Sequence, residues 1–198
     1  MLRSVVIVIT YSVLAGAISL WCFLHSGTPG KGITIPSPIL QYVEDAGGKG
    51  IVAELLVNAV VGAAVGAFSL NVRIALLCSA FAVLIDIDHT MWYLGFPVPG
   101  RPNHSFGFAV LAAVSMGLVF RNKSRFNARL FGIVIASFCA HLSADLFHGA
   151  SLPLLMPFSA ERISPPALSY VGFLATGILA AALSGIKSDR GKNGVEID

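Results

Sequence analysis

The stretch SVVIVITYSVLAGAISLWCFL, residues 4–24, contains no charged side chain. Because a helix needs about 20 mostly apolar residues to cross a bilayer, this stretch predicts a first transmembrane helix. The alternative is a cleaved signal peptide, since Arg3 precedes an apolar run that includes the small residues Ala15-Gly16-Ala17. The run continues past these residues to Leu24, so we favour an uncleaved membrane anchor.

Five further apolar stretches follow, and we predict spans at residues 51–70, 74–94, 106–120, 130–148 and 168–186. Composition agrees, because 56% of the residues are hydrophobic and only 12% are charged, whereas about a quarter are charged in soluble domains. The sequence therefore predicts an all-α fold, a polytopic membrane helix bundle of about six transmembrane helices. Residues 1–187 are expected to form one domain, and residues 188–198 a polar, disordered cytoplasmic tail.

Lysine and arginine are distributed unequally between the predicted loops. Basic residues concentrate on the cytoplasmic side of membrane proteins, and nine of the 13 share one side if the N-terminus is inside. We therefore predict a multi-pass protein of the cell membrane with both termini cytoplasmic. The sequence has no basic stripe with interleaved aromatic residues, so we expect no nucleic-acid partner. The nine are Arg3, Arg73, Arg121, Lys123, Arg125, Arg129, Lys187, Arg190 and Lys192.

Ionisable side chains inside the predicted spans are the unusual feature of the sequence, because they are costly in a bilayer and commonly mark function. Spans two and four begin at the outer face, whereas spans three and five end there. All of these groups consequently fall in the outer portion, where we expect one polar cluster. They are Glu54, Asp86, Asp88, His89, His104, His141, Asp145 and His148.

Helical spacing places three of them on one stripe of span five. His141, Asp145 and His148 stand at positions i, i+4 and i+7. On span three, Asp86 and Asp88 point in roughly opposite directions on an ideal helix. Either the helix therefore unwinds near Asp88, or Asp88 supports a ligand without binding the cation itself.

A compensating cation is expected, because the desolvation of several carboxylates and imidazoles together is otherwise prohibitive. Mixed carboxylate and imidazole ligands suit a divalent zinc, manganese or iron ion better than calcium or magnesium. Hydrogen-bonded packing between helices is the alternative, above all for Glu54 and His89. The expected metal ligands and base are Asp86, Asp88, His104, His141 and Asp145.

Three sequence blocks resemble the membrane-bound metal-dependent hydrolases, a family also described as LexA-binding, inner-membrane-associated hydrolases. The blocks are IDIDH at 85–89, NHS at 103–105, and HLSAD at 141–145 followed by Gly149 and PLLMPFS at 153–159. The resemblance implies a metal-dependent hydrolase with ligands in these blocks. This chain has Ile85 where the family pattern has proline, and PGRPN at 99–103 where the pattern has a His-Arg-Gly lead-in.

Glu54 falls near the position of an early Thr-His pair in the family pattern. We therefore expect Glu54 to replace a family histidine as a metal ligand, or to accept a hydrogen bond from a ligating imidazole. The alternative is that Glu54 pairs with Lys49 or extends to the lipid headgroups.

The expected function is a metal-dependent hydrolase whose site opens to the outer leaflet and whose substrate is a lipid or another amphiphilic ester or phosphoester. The apolar loop 153–158 beside the cluster could admit an acyl chain. Asp88 is a candidate base, and His89 or His148 could protonate the leaving group. Arg101 and Arg162 could hold a phosphate, although ordinary loop charges are the favoured interpretation for both.

Two other functional classes fit the composition: a transporter or ion-binding carrier, and a non-catalytic membrane scaffold. Carriers usually place polar groups near the membrane midplane, whereas the inner halves of spans three to six contain no ionisable residue. Measurement of the metal content of the purified protein distinguishes a scaffold, which needs no metal, from a metal-dependent hydrolase or an ion-binding carrier.

Overall fold

The computed structural model describes residues 2–25, 49–88, 101–121, 127–156, 158–159, 161–166 and 168–186. Within these ranges the chain forms six α-helices, one 3₁₀ turn and no strand, so the all-α prediction is confirmed there. His89, the loop 26–48 and the tail 188–198 lie outside the described residues. The helices are α1 (Leu2–His25), α2 (Lys49–Ala67), α3 (Val72–Leu84), α4 (Phe106–Val119), α5 (Ala128–Phe147) and α6 (Ser169–Gly185), and the 3₁₀ turn is Pro102–His104.

Two of the six described helices, α1 and α5, are long and apolar enough to cross a membrane. The other four are apolar but shorter, and α3 has only 13 residues. The sequence predicted that span three continues to residue 94. Helix α3 ends at Leu84 and a turn follows at residues 85–86, while residues 89–94 lie outside the described part of the chain. The helix is thus interrupted at Ile85 and Asp86, whereas Ile87 and Asp88 are again helical.

Helix α5 lies at the centre of the bundle and packs against α2, α3, α4 and α6. Its last turn ends at Gly149, whose φ of 79° is the left-handed conformation that glycine adopts most readily. The N–H of Gly149 donates to the Leu146 carbonyl, and the N–H of Ala150 donates to the Asp145 carbonyl, both at 3.0 Å. This Schellman arrangement fixes the turn of α5 that carries Asp145.

Helices α2 and α3 form a hairpin whose backbones approach closely at two glycines. A Cβ atom at Gly62 would lie 2.8 Å from the Ala82 Cβ, and one at Gly66 would lie 2.6 Å from the Ala75 Cα. Small residues four apart allow such an approach between membrane helices. The hairpin begins its second helix at Asn71, whose side chain accepts hydrogen bonds from the first turn of α3.

Helix α1 contacts α3, α4 and the 3₁₀ turn along one side of the bundle. The ring of Tyr11 is fully buried and stacks on Phe81 at a centroid distance of 4.2 Å. Nearer the C-terminus of α1, Ser19 Oγ donates to Asn103 Oδ1 at 3.2 Å. These contacts connect α1 both to the core and to the segment that precedes α4.

Large apolar side chains cover the outward surface of the bundle. An exposed apolar surface on this scale is unusual for a protein in water and typical of one that faces lipid. Examples, one from each helix, are Val13, Leu56, Leu76, Leu118, Phe147 and Leu179.

Candidate metal centre

The polar side chains meet at one end of the bundle. Asp86 lies in the turn after α3, where its N–H donates to the Val83 carbonyl at 3.2 Å. His104 is the last residue of the 3₁₀ turn before α4, whereas His141 and Asp145 lie in the last two turns of α5. Residues four apart on a helix project from the same face, so both α5 side chains point toward the two segments opposite.

Four possible ligand atoms lie close together in this cluster. The Nε2 atoms of His104 and His141 are 2.9 Å apart. Asp86 Oδ1 lies 3.3 Å from the first of these nitrogens and 3.5 Å from the second, and Asp145 Oδ2 lies 3.4 and 3.7 Å from the same two atoms. None of the four residues is more than 7% exposed, so the cluster is desolvated.

Three of these atoms, from Asp86, His104 and His141, lie within 4.8 Å of one another, close enough to bind one metal ion. Ligand atoms about 2.0–2.1 Å from a tetrahedral zinc ion lie about 3.3 Å from one another, and the five distances given above fall between 2.9 and 3.7 Å. Two imidazole nitrogens and two carboxylate oxygens form a donor set that suits zinc, manganese or iron. The residues present therefore fit a divalent transition metal.

Both imidazoles are oriented by their second ring nitrogen. His141 Nδ1 lies 2.8 Å from the Ala82 carbonyl oxygen, which can only accept, so Nδ1 carries the proton and Nε2 presents a lone pair to the cluster. His104 Nδ1 lies 3.3 Å from Asp88 Oδ2. Partners of this kind commonly orient metal-binding histidines. Asp88 therefore lies on the far side of His104 from His141 and orients its ring.

Two asparagines hold the aspartates in place. Asn58, on α2, donates from Nδ2 to Asp86 Oδ2 at 2.8 Å, so the other carboxylate oxygen faces the imidazoles. The backbone N–H of Asn103 donates to Asp88 Oδ2 at 3.2 Å, and Asn103 Nδ2 donates to the Ile85 carbonyl. Both asparagines are fully buried or nearly so. They connect α2 and the 3₁₀ turn to the segment that follows α3.

The charge of His104, in the turn outside the helices, depends on these carboxylates. Burial alone would lower the pKa of His104, but the negative charge of Asp88 and hydrogen bonds with Asp86 and Asp88 raise it to about 9.

Arg101 is a member of the cluster, although the sequence favoured an ordinary loop charge for it. Its guanidinium contacts Asp145 Oδ2 at 3.1 Å, Asp86 Oδ1 at 3.3 Å and Glu54 Oε1 at 3.5 Å, and its side chain is 16% exposed. The sequence did place Arg101 near the cluster, because it stands three residues before His104 in a segment expected at the same membrane face as the other polar residues. The described contact of Glu54 is thus with Arg101, and not with an imidazole.

The structure does not bring His148 into the cluster, although the spacing of span five suggested that it would. His148 is exposed, its Nδ1 lies 2.8 Å from the Ala144 carbonyl oxygen, and its ring packs edge-on against Phe147. Because α5 ends at Phe147, the side chain no longer follows the helical stripe. Arg162 is also exposed, in the segment before α6.

A helical bundle with an apolar exterior and a polar cluster buried at one end belongs to the class of integral membrane proteins. The chain belongs to the YdjM inner membrane protein family, whose family model matches residues 51–197. It is therefore an inner membrane protein, and the match includes α2 to α6 with every residue of the cluster. No curated protein and no solved structure shows a significant match to the chain.

Proposed function

We propose that this protein is a membrane-embedded, metal-dependent hydrolase that acts on a lipid or another amphiphilic ester or phosphoester. The observation that carries the proposal is the buried group of Asp86, His104 and His141, whose ligand atoms all lie within 4.8 Å of one another. The charge of the site supports it, because among the described residues four carboxylates outnumber the Arg101 guanidinium and the His104 imidazole, and a divalent cation offsets the remaining negative charge. The carboxylates are those of Glu54, Asp86, Asp88 and Asp145.

A bound divalent metal supplies an activated water near neutral pH and polarises the scissile carbonyl or phosphoryl group. Asp86, His104 and His141 would hold the ion, since each offers one ligand atom to the same point. Asp145 is the fourth ligand or the base, and Arg101 would bind an anionic group of the substrate. Asp88, a candidate base by sequence, is assigned instead to the orientation of His104.

We further propose that all six helices cross the membrane, with both termini cytoplasmic and the metal centre at the outer face. The exposed apolar side chains on every helix support this arrangement, as does the excess of Lys and Arg on one side. Helix α3 is about 20 Å long at 1.5 Å per residue, shorter than the bilayer core of about 30 Å. The polar segment that follows α3 lies in the remaining outer portion.

An apolar groove beside the 3₁₀ turn supports an amphiphilic substrate. The groove has a volume of about 430 Å³ and lies between α1 and α4. Pro102 and Ser105, two of its lining residues, flank His104 in the sequence. An acyl chain in the groove would therefore bring the polar part of a lipid to the level of the turn. Its apolar walls include Ile18, Trp21, Phe108, Leu111 and Met156.

Metal analysis of the purified protein tests the metal centre. The wild type should retain a transition metal, and His141→Ala, Asp145→Ala and Asp86→Asn should each lose most of it, because all three residues face one point. His148→Ala is the matched control, since His148 is exposed outside the cluster, and it should retain the metal. Full occupancy in all three cluster variants would exclude a shared site.

Hydrolysis is tested separately from metal binding. Metal-depleted wild-type protein in detergent should regain hydrolysis of carboxyl-ester or phosphoester lipids when zinc, manganese or iron is added, and His141→Ala should not. Stoichiometric metal without hydrolysis of either lipid class would favour an ion-binding carrier over the enzyme.

A further inference from the structure

A second apolar groove lies at the opposite end of the bundle from the metal centre. It is formed by the N-terminal half of α1 and the first turns of α3, and its volume is about 560 Å³. Helix α1 precedes the residues that match the family model, so one wall of this groove is built outside them. The walls are six aliphatic side chains: Val5, Val8, Ile9, Val72, Leu76 and Leu77.

The groove ends at two polar residues, Ser4 on α1 and Arg73 on α3. Arg73 is exposed, and no carboxylate in the described part of the chain lies within ion-pair distance of it. Among the described residues, the groove thus combines an apolar wall with one positive charge that no carboxylate pairs. That combination matches a ligand that has a hydrocarbon chain and an anionic head.

We propose that this groove binds an anionic phospholipid, with one acyl chain along the aliphatic walls and the phosphate on Arg73. Guanidinium groups pair well with phosphate oxygens, and anionic lipids are attracted to basic residues at the cytoplasmic membrane surface. The proposed orientation places Arg73 on that side, although lipid binding does not depend on the hydrolase activity. The lipid fills the space between α1 and α3 that protein side chains leave open.

Native mass spectrometry of the full-length protein tests the charge requirement. The probe is an equal mixture of dioleoyl phosphatidylglycerol and dioleoyl phosphatidylcholine, and the wild type should retain the anionic lipid preferentially. Arg73→Gln should reduce this preference about fivefold, the equivalent of about 1 kcal/mol for one basic residue near an anionic surface. Arg73→Lys should keep most of it. Arg121→Gln, a matched control on another exposed arginine, should leave the preference unchanged.

A second pair of variants tests the apolar wall. Leu76→Trp fills the groove while Arg73 remains, so retention of the lipid should fall; Leu179→Trp, on the exposed face of α6, should not change it. Equal retention of both lipids by the wild type, or an unchanged preference in Arg73→Gln, would overturn the proposal. A dimer that Leu76→Trp converts to monomers would show instead that a second copy of the chain occupies the groove.

Discussion

Arg101 balances much of the negative charge of the cluster. Its guanidinium contacts the carboxylates of Glu54, Asp86 and Asp145, and two of these three are at most 7% exposed. Removal of one partner from a buried ion pair leaves an uncompensated charge, which costs about 3–5 kcal/mol. The stability of the site should therefore depend on how many cations share these carboxylates.

We expect Arg101→Gln to lower the free energy of unfolding by about 3 kcal/mol in the presence of a chelator. Saturating divalent metal should recover part of this loss, because the ion compensates the same carboxylates. Thermal unfolding followed by circular dichroism measures both conditions, and Arg162→Gln, on an exposed arginine, should change little in either. An equal loss with and without metal would mean that metal and arginine do not share the carboxylates.

Asp88 should affect metal affinity without being a ligand. Its carboxylate lies 3.3 Å from His104 Nδ1, on the side of the ring away from His141. Asp88→Asn should weaken metal binding about 10 to 100-fold, as loss of such a partner commonly does, while occupancy recovers at saturating metal. Titration of the metal-depleted protein with the divalent metal measures the affinity, and Glu161→Gln, at an exposed residue, is the control. Occupancy that stays low at saturation would identify Asp88 as a direct ligand.

At the scale of residues, the sequence indicated the members of the polar cluster better than the residues that surround them. Asp86, His141 and Asp145 stand out because ionisable groups are rare in apolar helices. Arg101 does not stand out, since an arginine in a loop is ordinary and its contacts depend on tertiary placement. His148 was predicted in the cluster but does not lie there. Helical spacing predicts the direction of a side chain only within the helix, and α5 ends one residue before His148.

At the scale of elements, the close approach of α2 and α3 positions Asp86. Gly62 leaves room for Ala82 and for the Cys78 carbonyl, and one turn earlier Asn58 donates to the Asp86 carboxylate. Helix boundaries were harder to predict than helix positions. Hydrophobicity marks the apolar run of span three, but the apolar pattern does not reveal the interruption of the helix at residues 85–86.

We therefore expect Gly62→Ala to destabilise the protein by about 1–3 kcal/mol, the usual cost of overpacking a tight contact. Because the new methyl group would push α3 away from α2, the variant should also bind metal more weakly. Gly16→Ala is the matched control, since a Cβ at this glycine of α1 meets nothing within 4 Å. Chemical unfolding and metal titration are the two measurements. If both variants behave alike, the contact at Gly62 does not position Asp86.

At the scale of the whole molecule, the most buried helix carries much of the polar chemistry. Helix α5 contains His141 and Asp145, and 78% of its apolar stretch is buried inside the bundle. In a bilayer, polar groups are directed toward the bundle interior and apolar side chains toward lipid. Composition was therefore sufficient to predict helices, but which helix lies at the centre depends on packing among all of them.

The orientation of the bundle can be tested by cysteine labelling in a background without native cysteines. With the proposed topology, an impermeant reagent added outside intact cells should label Glu161→Cys and should not label Arg121→Cys, since these exposed residues lie at opposite ends of the bundle. Asn127 is a poorer probe position because its side chain caps α5. Labelling of Arg121→Cys from outside would reverse the orientation and move the metal centre to the cytoplasmic face.

The position of Arg101 along the chain has a consequence for biogenesis. Synthesis proceeds from the N-terminus, so the α2–α3 hairpin leaves the ribosome with Glu54 and Asp86 before α5 exists. Arg101 follows Asp86 by 15 residues and precedes Asp145 by 44. The counter-charge of Glu54 and Asp86 is thus synthesised before α5, so the nascent chain holds a cation for these carboxylates before His141 and Asp145 are translated.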